Sequence, residues 1–83
     1  MSNNLTDGEI EQLKYLAEVC ISDAMMNLIE ANGQIGHERT ITLAVADNNV
    51  KRANAIHQAL KYLGVKGVDA RWEIVNNRVR QIS

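Results

Sequence analysis

The stretch RTITLAVADNNVKRANAIHQALKYLG, residues 39–64, decides how this chain is read. Its first half reads locally as a strand. Over residues 40–46, Ile41, Leu43 and Val45 alternate with Thr40, Thr42 and Ala44, and four of the first six residues are β-branched. Such side chains lose rotamer freedom in a helix and fit a pleated surface. Asp47 would then serve as the N-cap of a second helix spanning about residues 49–63. The core face of that helix is expected at Ala53, Ile56, Ala59, Leu60 and Leu63.

Working outward toward the N-terminus, residues 7–31 form a long amphipathic helix. Thr6 or Asp7 can cap it, and Glu9 and Glu11 suit its positive first turn. Asn32-Gly33 can end it. At 100° per residue, Ile10, Leu13, Ala17, Cys20, Ile21, Ala24 and Leu28 share one face. Tyr15, Val19 and Met26 fall on a second face, so the helix is expected to be sandwiched, either within the domain or against another copy of the chain.

Toward the C-terminus, Gly64 and Gly67 interrupt the chain before VDARWEIV, Asn76-Asn77 and RVRQI, which read as a β-hairpin. Asparagine tolerates the positive φ of a two-residue turn. In that register Ile74 faces Val79, and Glu73 faces Arg80 as a cross-strand ion pair. Val68, Ala70, Trp72 and Ile74 share a face, which assigns Trp72 to the core. The expected fold is α+β, in the order helix–strand–helix–strand–strand, with a small three-stranded sheet and a C-terminal hairpin. One domain covers residues 1–83, with residues 1–6 as a disordered tail.

A second reading follows from IHQALKYLGVKGVDARW and the hairpin after it, over residues 56–82. This tail resembles that of a winged helix-turn-helix domain, and the resemblance extends over about residues 20–82. It implies a short strand at Gln34-Ile35, a second helix at Glu38–Ala46, a recognition helix at Val50–Leu63 and a wing at the hairpin. The sequence departs from that pattern in its β-branched second helix, the missing N-cap and a long turn between the two helices.

Composition restricts function. The 83 residues contain no Phe, one Trp and two Tyr, so the core must be aliphatic. No apolar run reaches the ~20 residues of a transmembrane helix, and MSNNLTDGEIEQ lacks the features of a secretory signal. The lone Cys20 forms no internal disulfide, and a cytoplasmic location is expected. Cys20 lies on the apolar seam, where a thiol acts as a small hydrophobe. His37 and His57 are too far apart for a zinc-site spacing and read as solvent-exposed. Gly33, Gly36, Gly64 and Gly67 match no phosphate-binding loop. No catalytic residue, cofactor or metal is expected, and the chain does not read as an enzyme.

The charge is divided. Residues 1–36 carry Lys14 against Asp7, Glu9, Glu11, Glu18, Asp23 and Glu30, whereas residues 37–83 carry eight Lys or Arg against Glu38, Asp47, Asp69 and Glu73. Lys51, Asn54, Gln58 and Lys61 are spaced 3, 4, 3 on the second helix, opposite its expected core face. With Arg52 and with Arg71, Arg78 and Arg80 of the hairpin, they outline a basic surface for nucleic acid. The cations would neutralise phosphates, while Asn54 and Gln58 would read base edges. The expected function is that of a small regulatory protein that binds nucleic acid. The alternative is a protein-binding inhibitor or adaptor of phage or mobile-element type, docking through a sheet edge or the Tyr15, Val19 and Met26 face.

Overall fold

The computed structural model describes residues 4–82 of the chain. Two helices, α1 (Asp7–Asn32) and α2 (Gly36–Tyr62), are followed by two strands, β1 (Arg71–Val75) and β2 (Arg78–Ile82). The α+β class stands, as an antiparallel helical hairpin with a two-stranded antiparallel sheet packed against it.

Helix α1 begins at a capping box. The Glu9 N–H donates to Thr6 Oγ1 at 3.1 Å, and the Thr6 N–H donates to Glu9 Oε1 at 2.9 Å. Thr6 is thus the N-cap, one of the two candidates in the sequence; of the expected tail over residues 1–6, residues 1–3 lie outside the described residues. The expected inner face holds, with Ala17, Cys20, Ile21, Ala24 and Leu28 buried and Ala31 added to them.

The central correction concerns residues 40–46, which form no strand. They are the second and third turns of α2, which runs unbroken for 27 residues from Gly36 rather than from residue 49. Asp47 is therefore no N-cap; it lies mid-helix and pairs with Lys51 one turn on, at 2.9 Å. The sheet accordingly has two strands instead of three. The helix-turn-helix arrangement is absent as well, because Glu38–Ala46 and Val50–Leu63 belong to one continuous rod with no turn between them, and Gln34-Ile35 is not a strand.

Tertiary packing overrides local preference here. The buried stripe of α2 is Thr42, Ala46, Val50, Ala53, His57 and Leu60, at helical spacing. Small side chains on both helices, Ala17, Ala24 and Ala31 against Ala46 and Ala53, are buried to 1% exposure or less. They let the two backbones approach closely over much of their length, each helix being roughly 40 Å long. Of the expected core face, Ala53 and Leu60 are buried, whereas Ala59 is exposed. Thr40 accommodates helical geometry by donating its hydroxyl to the Gly36 carbonyl at 3.2 Å.

Only residues 33–35 separate the helices. Two side-chain contacts fix the pairing. Arg39 donates to the Ala31 carbonyl at 3.0 Å, an acceptor that the Gln34 N–H also reaches at 3.1 Å, and Asn49 donates to Asn27 Oδ1 at 2.9 Å. The β-hairpin has the expected register, with Glu73 opposite Arg80 and Ile74 opposite Val79. Asn76 and Asn77 adopt φ of 53° and 61°, as a two-residue type I′ turn demands. Trp72, Ile74 and Val79 pack on the helical core beside Ile56.

Candidate interaction surfaces

The side of α2 that sequence reasoning assigned to nucleic acid is where the hairpin docks. Asn54 is not free to read a base. Its Nδ2 donates to the Trp72 carbonyl and its Oδ1 accepts from the Trp72 N–H, both at 2.9 Å. His57, expected to be solvent-exposed, is 8% exposed; its Nδ1 lies 3.1 Å from the Ala70 carbonyl and its ring meets Trp72 edge to face. An exposed polar stripe and a polar stripe that grips a strand carry the same spacing, and only the position of the hairpin separates them.

Several of the cations are engaged within the chain. Lys51 pairs with Asp47 at 2.9 Å, Lys61 with Asp69 at 3.0 Å and Arg80 with Glu73 at 2.6 Å. All three pairs are largely solvent-exposed, so each contributes little to stability. Arg52, Arg71 and Arg78 are exposed and form no ion pair among the described residues. Four of the assigned residues, Asn54, Gln58, Lys61 and Arg71, meet in one small cleft of about 60 Å³ between α2 and the start of β1. Among the described residues, no group of three or more His, Cys, Asp or Glu could hold a metal ion, and Cys20 is a buried free thiol. Among the described residues, no helix is long and apolar enough to cross a membrane.

The most distinctive surface is apolar. Tyr15 is 67% exposed, Met26 64% and Ile29 72%, on the α1 face directly opposite the buried Ala17, Ala24 and Ala31. Val19 is half-buried in the same row. With Gln12 and Ser22 these residues recur at steps of 3, 4, 3, 4, 3, the spacing of a coiled-coil seam. This row includes the Tyr15, Val19 and Met26 face seen in the sequence and extends it by a turn to Ile29.

Helix α2 carries a matching row that sequence reasoning missed. Ile41, Val45, Asn48, Arg52, Ala55, Ala59 and Tyr62 are all exposed and recur at steps of 4, 3, 4, 3, 4, 3. At 100° per residue this row lies about half a turn from Asn54, His57 and Lys61, so it faces away from the hairpin. Ala55, Ala59, Tyr62 and Leu63 line a shallow open groove at its C-terminal end. The 3–4 spacing was present in the sequence, but it is visible only once residues 40–46 are taken as helix.

No protein-family model matches the chain, no curated protein matches its sequence, and no solved structure matches its fold.

Proposed function

We propose that this chain is a small, non-enzymatic protein-interaction module of the cytoplasm, a regulator or adaptor that works by protein–protein contact. The observation that carries the reading is the outward apolar row on α1. Single exposed apolar residues are common, but a row at coiled-coil spacing opposite a filled core is what a helix presents to a partner. Exchanging Tyr15, Met26 and Ile29 together for Gln tests it. In dilute solution the variant keeps the helical circular-dichroism signal and unfolds within about 1 kcal/mol of the parent, as expected for surface changes. A collapse of the helices would place these side chains in the fold itself and end the reading.

A nucleic-acid-binding regulator is the second reading, supported by the exposed Arg52, Arg71 and Arg78 and by the cleft that joins Gln58 to Arg71. Titration into a fluorescent random-sequence duplex at several salt concentrations discriminates. Affinity falling linearly in log salt, with a slope of about −3, would indicate several phosphate contacts. Absence of binding at low salt removes this reading and leaves the first untouched.

A further inference from the structure

We infer that the outward row of α1 is the docking face for a basic amphipathic helix of another protein, one with an apolar stripe at coiled-coil spacing and Lys or Arg along both margins of that stripe. The inference rests on the protein-interaction reading above and adds the chemical class of the partner.

Position on the helix is the first argument. The seam runs through Gln12, Tyr15, Val19, Ser22, Met26 and Ile29 of α1. The opposite side, at Ala17, Ala24 and Ala31, is buried within the fold. The seam is therefore turned outward along about five turns, roughly 25 Å of helix, and a partner helix of similar length can lie along it.

Charge selects the partner. In a coiled coil, the residues at either edge of the seam face the margins of the opposing seam, and their charges set partner choice. On α1 these edge residues are Glu11, Glu18 and Met25 on one side and Leu16, Asp23 and Glu30 on the other. Four of the six are acids and none is a base. Lys14, the one base of α1, lies off both edges and pairs back onto Glu11 at 3.6 Å. Glu18 and Asp23, midway along the seam, are exposed and form no ion pair among the described residues. A helix with Lys or Arg at the facing positions complements this edge, and an acidic one is repelled by it.

The chain's own helices do not supply that complement. Packing α1 on α1 would oppose acid to acid. Beside the outward row of α2 the edge positions hold a single cation, Lys51, already paired with Asp47 at 2.9 Å. Arg52 stands within that row, where it would be pressed against the apolar side chains of α1. The occupant is accordingly a different protein, selected both by attraction to its basic margins and by rejection of acidic ones.

Fluorescence anisotropy with synthetic peptides tests the proposal on the full chain. The probe is a labelled helical peptide of about three heptads, with Leu at its seam positions and Lys at its edge positions; the control carries Glu in place of Lys. At low salt the Lys peptide should bind at least about tenfold more tightly than the Glu peptide, and the difference should shrink as ionic strength rises from about 0.05 to about 0.5 M. Glu18→Lys with Asp23→Lys should invert the preference. Both residues are exposed, so the helical circular-dichroism signal should match that of the parent. Exchanging Tyr15, Met26 and Ile29 for Gln should abolish binding of the Lys peptide, which separates docking on the seam from simple attraction of opposite charges.

Equal affinity for the two peptides, a preference that survives both charge reversals, or a Lys peptide that does not bind overturns the proposal. So does a parent chain that sediments as a dimer and becomes monomeric in the Gln variant. If the Lys peptide fails while the Gln variant remains folded, only the class of partner falls and the broader reading survives.

Discussion

The rings of His57 and Trp72 meet edge to face, with centroids 4.8 Å apart and planes inclined by 61°. The contact joins the C-terminal part of α2 to the second residue of β1, and the His57 Nδ1 contact with the Ala70 carbonyl reinforces it. Each such ring pair contributes about 0.5–1.5 kcal/mol beyond area burial. His57→Ala should therefore cost about 2 kcal/mol, once the partner lost by the Ala70 carbonyl is included. Its signature is a red shift of Trp72 emission in the folded protein. An unshifted spectrum and an unchanged urea midpoint would show that the ring contact does not hold the hairpin.

Asn54 acts on the same strand by hydrogen bonding alone. Asn54→Ala leaves the N–H and C=O of Trp72 without their partner, which should cost about 2–3 kcal/mol. Asn54→Asp, isosteric but unable to donate, should recover part of this loss. Urea denaturation of the three proteins orders them. If Asn54→Ala were as stable as the parent, the amide would be free for an outside ligand.

The continuity of α2 is tested by proline at residue 48. Within a helix, proline removes an internal hydrogen bond and clashes with the preceding turn, at about 3 kcal/mol or more. In a connection between two shorter elements it would be tolerated. Asn48→Pro should therefore destabilise strongly and reduce helical ellipticity. A variant of parental stability would mean that the chain breaks there.

The capping box makes a prediction in pH. Hydrogen bonds from the Thr6 backbone and hydroxyl hold the Glu9 carboxyl below its usual value of 4.5. A depressed carboxylate contributes stability that is fully present above the unfolded value and is lost as pH falls through the folded one. The urea midpoint should thus stay level from neutral pH to about 4.5 and then decline, with Glu9→Gln flattening this part of the profile. Thr6→Ala, which removes the cap itself, should cost about 1 kcal/mol at neutral pH. Identical acid profiles for the parent and Glu9→Gln would dissociate the cap from the acid response.

What could be read in the sequence was whatever local chemistry fixes. The α1 inner face, the Asn76-Asn77 turn and the Glu73–Arg80 register are dictated by side-chain periodicity and turn geometry within a few residues, and each stands in the structure. Residues 40–46 were misread because the side chains that bury that segment are Thr42 and Ala46, whereas the greasier Ile41 and Val45 point outward. Alternation of large apolar residues imitates a strand when the core contact is made by small ones. The polar row at Asn54, His57 and Lys61 was visible, but its meaning depends on where a hairpin eighteen residues downstream folds back, and no local signal encodes that.

The grip of Asn54 on Trp72 also bears on what this protein does not join. Trp72 is the residue of β1 whose backbone groups turn outward beside Asn54, and an exposed row of such groups is a template for another chain's strand. One asparagine amide thus occupies the backbone groups through which an added strand would pair at Trp72. β2, five residues long, bears Arg78 and Arg80 along its border. Short length and like charge at that border discourage end-on growth into fibrils. The exposed apolar rows of the protein lie on its helices, and its strand border is guarded by charge.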